Sequence, residues 1–302
     1  MWAEVRVTVR VPSFSILVPA YERAEALALT LGKLEPYASE DCEVVVVDDY
    51  SQSSEVRDAV RDFPFVRYIR APKNLGVIGA RNFGYGHLLG DIIINLDDDS
   101  YPVVGNFLER IKEKFQSDAN IGIVGFNIRT PDGRLTWRLD SKLREVRAYV
   151  GCGNAWSRDL YQKVGGYSDL FFRQGEELEH CMRAIDAGFV IAPMPDLIVQ
   201  HDQSPINRNI PKHNAHELAN HLKRSVLSAP AIFLPEGVAR WLILLFVRRK
   251  IINWRELWLE LGHPNRGLRQ AIARRSPISV HSFKKVRALN RAEKMNAATI
   301  RT

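Results

Sequence analysis

Cysteine and long apolar runs are scarce in this sequence of 302 residues. The cysteines form no CxxC pair and no even-numbered framework; they are Cys42, Cys152 and Cys181. This pattern argues against a disulfide scaffold and favours reduced thiols, so we expect a cytoplasmic protein. The apolar run at 241–247 is far shorter than the roughly 20 residues of a membrane-spanning helix. The first residues lack the apolar stretch of a secretory signal, and we expect none.

Internal repeats and low-complexity segments are also lacking, which argues against a solenoid or a disordered chain. Hydrophobic residues make up 46% and charged residues 25% of the sequence, which is typical of a globular protein. The length fits one large α/β domain with an appendage, or two modest domains.

Charge is distributed unevenly along the chain. Residues 1–202 carry 23 Lys and Arg against 30 Asp and Glu, whereas residues 203–302 carry 19 against 5. The apolar pattern changes after about residue 211, so we predict a first domain at 1–211 and a basic helical region at 212–302. Anionic lipid, nucleic acid or an acidic protein could bind such a basic region.

Apolar runs alternate with helical patterns through the first two-thirds of the chain. Strands are predicted at 14–18, 43–47, 66–69 and 91–96, and helices at 25–34, 54–63 and 79–89. This order predicts a mostly parallel central sheet with helices on both faces. Alternating valines predict a further half-exposed strand at 5–11. Helices are predicted at 217–227 and 237–261, followed by a less periodic basic tail.

Acidic residues follow two of the predicted strands at the edge where ligands bind in such sheets. Asp48 and Asp49 follow one strand, and Asp97, Asp98 and Asp99 follow another. Adjacent carboxylates repel one another, and a hard divalent cation such as Mg²⁺ or Mn²⁺ relieves that repulsion. The alternative is a solvated acidic loop or helix cap.

Six motifs in this order resemble those of family 2 glycosyltransferases, whose fold is called GT-A. They are FSILVPAYER at 14–23, EVVVVDDYS at 43–51, NLGVIGARNFG at 74–84, NLDDDS at 95–100, VGGY at 164–167 and GEELEHCMR at 175–183. The resemblance covers roughly residues 13–203. It implies an α/β Rossmann-like fold of the GT-A type, to which we expect the C-terminal helices to be appended.

The resemblance also implies a site for the nucleotide-sugar donor. The residues expected to line the base pocket are Pro19, Tyr21, Glu22, Asp48 and Asp49. Arg81 is expected to approach the base or diphosphate, although a surface salt bridge is the alternative. Tyr50 departs from the Gly or Asn common at its position.

The same resemblance implies a metal site for Mn²⁺ or Mg²⁺. Asp99 is the expected direct ligand, with Asp97 and Asp98 sharing ribose and metal contacts. His201 is expected near the metal or diphosphate, although a lone histidine is as often structural.

Glu176 and Glu177 resemble the acidic pair whose second member is the general base of the family. Glu177 would then deprotonate the acceptor hydroxyl, and Glu176 is the other candidate because Glu replaces the more usual Asp. The alternative is a helix N-terminus that favours acids for its dipole. The stretch at 151–156 resembles the floor of the sugar site, where Trp156 either stacks on a sugar or packs in the core.

The function implied is inverting transfer of a sugar from a UDP-, dTDP- or GDP-linked donor to an acceptor hydroxyl. The acceptor would be a carbohydrate, a lipid-linked molecule or a small molecule, in polysaccharide, glycolipid or natural-product synthesis. The alternatives are a sugar-nucleotide nucleotidyltransferase and a non-catalytic binding protein with a basic tail. No nucleic-acid motif is present, and we expect no nucleic-acid partner. Two further partners are compatible with the sequence: an anionic surface at the inner face of the membrane, and a second copy of the chain.

Overall fold

The computed structural model describes residues 12–140, 142–202 and 210–299. The strand predicted at 5–11 lies outside these residues. In chain order the elements are β1 (Phe14–Ala20), α1 (Ala24–Leu34), β2 (Cys42–Asp48), α2 (Glu55–Arg61), β3 (Val66–Arg70), α3 (Gly76–Tyr85), β4 (Ile92–Asn95), β5 (Ser100–Pro102), α4 (Phe107–Ser117), β6 (Ile121–Arg129), β7 (Leu135–Trp137), β8 (Asn154–Ser157), α5 (Arg158–Val164), α6 (Glu176–Asp186), β9 (Val190–His201), α7 (Ile210–Ser228), α8 (Leu234–Arg248), α9 (Trp254–Leu261), α10 (Leu268–Ala273) and α11 (Val280–Thr299). Short 3-10 helices cover Glu35–Tyr37 and Ala231–Phe233.

The central sheet has the strand order β3-β2-β1-β4-β8-β6-β9-β5, with β7 attached to β6. The pairs β1–β2, β2–β3, β1–β4 and β6–β9 are parallel. The pairs of β8 with β4 and β6, of β5 with β9 and of β7 with β6 are antiparallel. The predicted parallel arrangement therefore holds for the first four strands, and the sheet as a whole is mixed.

Two apolar clusters cover the two faces of the sheet. The strands β1 and β2 are buried along almost their whole length, as their runs of β-branched residues predict. One cluster includes side chains of α1 and α4. The other includes side chains of α3, α5 and α6, together with Leu227, Ala271 and Val286 from the C-terminal helices and Ile278 from the loop before α11. The prediction of helices on both faces is confirmed.

The C-terminal region is more helical than the sequence pattern suggests. The helix predicted at 237–261 is two helices, because the chain turns at 249–253 and the Asn253 side chain accepts a hydrogen bond from the Glu256 N–H at 3.0 Å to begin α9. The tail predicted as less periodic contains α10 and α11. The helix predicted at 79–89 begins earlier, at Gly76, and ends at Tyr85.

The predicted domain boundary at 211–212 falls in the first turn of α7. A third apolar cluster joins α7 to α8 and α9, and Trp241 is one of its members. None of the helices within residues 12–140, 142–202 and 210–299 is both long and apolar enough to cross a membrane.

Candidate active site

The ends of β1, β2 and β4 lie side by side at one edge of the sheet. Ala20 pairs with Asp48, and Leu17 pairs with Asn95, so the segments that follow these strands share that edge. This is the arrangement expected when parallel strands end at a common ligand-binding edge. The predicted donor-site and metal-site residues are therefore brought together here.

The two aspartates after β2 differ in their surroundings. Asp48 is fully buried, and its carboxylate accepts hydrogen bonds from the Tyr68 hydroxyl at 2.6 Å and the Ser51 N–H at 2.8 Å. Asp49 accepts from the Leu75 N–H at 2.7 Å, and burial raises the pKa of its carboxyl. Asp48 therefore braces the turn, whereas the backbone N–H groups of Leu75 and Gly76 leave Asp49 with further capacity to accept from a ligand.

The end of β1 and the loop that follows it lie at this edge. Pro19 pairs with Val47 inside the sheet, and the Tyr21 side chain is 42% exposed. The Glu22 carboxylate accepts hydrogen bonds from the Gln52 N–H and the Ser53 hydroxyl. Glu22 thus joins the β1 loop to the β2 loop, and Tyr21 presents an exposed ring beside them.

Tyr50 adopts a left-handed backbone conformation with φ of 65°. This conformation favours Gly or Asn, which explains why those residues are usual at this position. The Tyr50 ring is 40% exposed and packs against the Arg70 guanidinium at 4.8 Å. Having Tyr50 in place of Gly or Asn therefore adds an exposed aromatic ring in the loop after β2, besides the Tyr21 ring in the loop after β1.

Arg23 neutralises the acidic triplet from the β1 loop. Its guanidinium pairs with Asp98 at 2.7 Å and with Asp99 at 2.6 Å. Burial nevertheless raises the pKa of Asp98 to about 8, against the opposing charge of Arg23. Arg23 was part of the first motif, yet the sequence assigned it no role, because its partners lie about 75 residues away along the chain.

Arg81 is a buried residue of α3 and not a surface residue. It is 3% exposed, and its guanidinium pairs with the Asp97 carboxylate and donates to the Leu96 carbonyl at 3.0 Å. The surface salt-bridge alternative is wrong. Arg81 is held beside Asp97. Its positive charge therefore lies at the sheet edge where an anionic ligand would contact the acidic triplet Asp97, Asp98 and Asp99.

His201 ends β9 and reaches the triplet because β9 pairs with β5, with Ser100 opposite His201. Its Nε2 lies 3.2 Å from Asp99 Oδ1 and 4.0 Å from Asp97 Oδ2. Burial acts to lower the pKa of His201, but the hydrogen bonds with Asp99 and Cys152 and the nearby charge of Asp97 together outweigh burial and raise that pKa to about 11. Burial likewise acts to raise the pKa of Asp99, and the hydrogen bonds from His201 and Arg23 bring it below its usual range.

A divalent cation fits the donor atoms at this position. Ligand atoms of Asp97, Cys152 and His201 lie within 4.8 Å of one another, and Asp99 contacts His201. Carboxylate oxygens suit Mn²⁺ and Mg²⁺, and imidazole nitrogen is a common partner for transition metals. The Cys152 Sγ lies 3.5 Å from His201 Nδ1, and burial raises the pKa of the Cys152 thiol. We therefore expect the thiol to orient His201, while the carboxylates and imidazole hold the ion.

The acidic pair begins α6, and both carboxyls lie close enough to Arg81 and Asp97 to feel their charges. Glu177 Oε1 accepts from the Gly151 N–H at 3.3 Å. Glu176 Oε2 is buried and has no hydrogen-bond partner among residues 12–140, 142–202 and 210–299. Burial raises the pKa of both carboxyls, and the charge of Glu177 raises that of Glu176 further. A raised pKa suits a group that accepts a proton near neutral pH.

Trp156 and His180 belong to the core beneath this site. Trp156 is fully buried and stacks on the His180 ring at 4.2 Å, so the core-packing alternative is the one the structure shows. His180 is held by the Tyr149 hydroxyl at 2.9 Å and the Gly165 carbonyl at 3.1 Å. These contacts fix the segment that carries Gly151 beneath Glu177.

Comparison with known proteins gives the family and the fold. The family model described as Glycosyl transferase family 2 matches residues 15–187. The chain is 27% identical over 162 residues to an uncharacterized glycosyltransferase, YwdF of Bacillus subtilis (strain 168), and the match covers 50% of this chain and 60% of that protein.

Two solved structures are similar to the whole fold. The mannosyltransferase PcManGT from Pyrobaculum calidifontis, in complex with GDP-Man and Mn²⁺, matches at a TM-score of 0.58 and 16% identity, covering 88% of this chain and 84% of that one. Residues 1–349 of S. aureus TarS, in complex with UDP-GlcNAc, match at a TM-score of 0.59 and 16% identity, covering 92% and 83%. The predicted GT-A fold with C-terminal helices is confirmed.

Proposed function

Because the chain belongs to glycosyl transferase family 2 and is a glycosyltransferase, we propose that it moves a sugar from a nucleotide diphosphate to an acceptor hydroxyl with inversion. One observation carries this proposal: Asp49, the Arg81–Asp97 pair and the Asp99–His201 pair converge on one sheet edge, with Glu177 facing them from α6. Groups for binding a nucleotide and a diphosphate thus lie near a candidate general base.

The donor would lie along the edge formed by β1 and β2. Tyr21 and Asp49 would hold the base between an exposed ring and a carboxylate acceptor, with Pro19, Glu22 and Asp48 shaping the pocket. Ligands named for the similar structures include GDP-Man and UDP-GlcNAc, which supports a UDP-, dTDP- or GDP-linked donor. Arg81 would meet the diphosphate because its charge is fixed beside Asp97.

Asp99, Asp97 and His201 would hold Mn²⁺ or Mg²⁺, with Asp98 contacting the ribose. When bound, the cation would act as a Lewis acid on the diphosphate and stabilise the leaving group. The Mn²⁺ named with PcManGT supports this assignment. Arg23 would hold Asp98 and Asp99 in place from the other side.

Glu177 would act on the acceptor. Its carboxylate would take the proton of the acceptor hydroxyl while that oxygen attacks the anomeric carbon, and the bond from that carbon to the diphosphate would break on the opposite face. The nucleoside diphosphate leaves, and the configuration at the anomeric carbon is inverted. The hydrogen bond from Gly151 to Glu177 would fix the direction of the carboxylate.

The test compares Glu177→Gln with Glu176→Gln, using a panel of nucleotide sugars with and without Mn²⁺. We expect Glu177→Gln to bind the donor as the wild type does, while its kcat falls by about 10²- to 10⁴-fold. Measurements are donor affinity by calorimetry and release of nucleoside diphosphate. If Glu176→Gln loses turnover and Glu177→Gln retains it, the base is Glu176. Donor affinity that is identical with and without Mn²⁺ would remove the metal site.

The nucleotidyltransferase alternative is less well supported. Such enzymes bind triphosphate with a glycine-rich basic loop after the first strand, and the residues here are PAYE at 19–22. The acidic pair at the start of α6 also has no role in that chemistry. The intact carboxylates likewise weigh against a non-catalytic binding protein.

We further propose that the enzyme sits at an anionic membrane surface on its cytoplasmic side. The α8–α9 apolar patch consists of Leu242, Ile243, Phe246, Val247, Ile251, Trp254 and Trp258, whose exposures run from 42% to 67%. The flanking cations are Arg240, Arg249, Lys250 and Arg255. Exposed apolar surface of this kind marks a site of interaction, and the flanking charge favours anionic lipid over a second copy of an equally basic chain.

A further inference from the structure

A cavity of about 490 Å³ has Glu177 in its lining and none of the three aspartates of the acidic triplet. The start of α6, the segment at 147–150, α7 and α8 form its walls. It is large enough for part of an acceptor molecule. Since Glu177 lies in its wall, a molecule in this cavity would present a hydroxyl to the proposed base.

Positive charge lines this cavity in excess. Arg147, Arg224 and Arg248 line it, against the acids Glu177 and Glu217. Arg248 pairs with Glu217 at 2.6 Å. Arg147 pairs with Glu293 at 3.0 Å, outside the cavity lining. Two of the three guanidinium groups are therefore neutralised within the protein.

Arg224 is the one arginine of this cavity lining that has no acidic partner among the described residues. It makes no hydrogen bond and no ion pair with any residue that the structure describes. Burial and the charge of Arg147 lower the pKa of Arg224 to about 10, so the group stays charged at neutral pH. Outside the described ranges, the only acidic side chain is that of Glu4. A half-buried guanidinium that pairs with none of the described residues keeps unused hydrogen-bond donors, which points to an anion from outside the protein.

The neighbours of Arg224 suit an oxyanion ligand. Its Nη1 lies 3.1 Å from the position of a Cβ on Gly175, so it sits against the residue that precedes the acidic pair. His221 lies one turn earlier on α7, and its Nδ1 is buried with no hydrogen-bond partner among the described residues. Two unused polar groups thus face the cavity near Glu177.

We infer that this cavity binds an acceptor that carries a phosphoryl group, with the phosphate on Arg224 and His221 and the reacting hydroxyl at Glu177. The planar guanidinium matches phosphate oxygens in a two-pronged geometry. Leu178, Leu218 and Leu244 line the same cavity and would pack on the remainder of the acceptor. This inference rests on the proposed transferase function, since it uses the same base.

The test titrates the full-length protein, saturated with nucleoside diphosphate and Mg²⁺ so that the donor site is filled. The probes are glucose 6-phosphate, glucuronate and glucose, which share a ring and differ at carbon 6. Polyprenyl phosphate in neutral detergent separates a lipid-borne phosphate from a soluble one. We expect at least one phosphate probe to bind at least about tenfold more tightly than glucose and glucuronate.

Arg224→Gln should remove that preference, and Arg224→Lys should retain part of it. Arg269→Gln is the matched control, because Arg269 is exposed and lies outside the cavity lining. Thermal unfolding checks that each variant is folded. Equal binding of glucuronate, or phosphate binding that Arg224→Gln leaves unchanged, overturns the inference. Donor binding and slow donor hydrolysis report the transferase site separately, so either proposal can fail alone.

Discussion

At the scale of single residues, Arg23 stabilises two carboxylates of the acidic triplet by pairing with both. Asp98 and Asp99 are each 8% exposed in their side chains, and Arg23 contacts both. Three adjacent carboxylates would otherwise repel one another in a poorly hydrated setting. Arg23 and His201 therefore supply positive charge at the position that a divalent cation and diphosphate would share.

Arg23→Gln should lower the free energy of unfolding by about 1–3 kcal/mol in the presence of EDTA, the range for hydrogen bonds to charged groups. With Mn²⁺ and nucleoside diphosphate the loss should shrink, because the ion then neutralises the same carboxylates. Urea unfolding under both conditions measures the difference. Arg61→Gln is the control: its pair with Asp58 is exposed, and its removal should cost less than about 1 kcal/mol. An equal loss with and without Mn²⁺ would contradict this account.

At the scale of elements, β1, β2 and β4 were predictable because they are buried runs that contain several β-branched residues, and β3 was predicted from a shorter, half-buried run. The runs that became β1 and β2 are almost fully buried, and their observed ends differ from the predicted ones by at most two residues. The break between α8 and α9 was not predictable, since the apolar periodicity continues through it and only the Asn253 cap marks the start of α9. The helix α11 was missed because tertiary packing against α6 and the Arg147–Glu293 pair hold it.

The candidate site also has a part that the sequence predicts and a part that only the folded structure reveals. Carboxylates at strand ends could be located from the sequence, because parallel strands end at a common edge. The resemblance supplied roles for them. Contacts that join distant segments could not be predicted, and these include Arg23 with Asp98 and the cavity that α7 and α8 complete beside Glu177.

The α8–α9 apolar patch makes a prediction at this scale. Phe246 and Val247 are each 67% exposed, so replacing both with Ser should weaken binding to vesicles without unfolding the protein. Replacing Arg249 and Lys250 with Gln should lower binding to anionic vesicles by about 30-fold, at roughly 1 kcal/mol for each charge. Co-sedimentation with neutral and anionic vesicles measures both effects.

Leu89→Ser is the matched control for the patch, because Leu89 is 53% exposed and lies far along the chain from α8. Added salt should reduce binding of the wild type to anionic vesicles and leave the weaker neutral binding unchanged. A wild type that ignores vesicles but forms a dimer, which the Ser variants disrupt, would assign the patch to a second copy of the chain.

At the scale of the whole molecule, one buried network ties the basic C-terminal region to the catalytic part. Lys223 of α7 is fully buried and pairs with Glu260 of α9 at 2.8 Å. Its Nζ also donates to the Leu170 carbonyl at 2.7 Å, in the segment that leads to α6. The helix that carries the acidic pair is therefore positioned partly by the C-terminal helices, and we expect the two regions to unfold together.

Lys223→Met tests that dependence. It leaves Glu260 buried without its main cation, and the free energy of unfolding should fall by about 3–5 kcal/mol. The double variant Lys223→Met, Glu260→Leu should recover much of that loss, because an apolar pair removes the uncompensated charge. Chemical unfolding of the wild type, both single variants and the double variant gives the interaction energy directly. If the double variant is as unstable as Lys223→Met, the cost comes from the lost hydrogen bond to Leu170, and the tie between the two parts is that bond and not the ion pair.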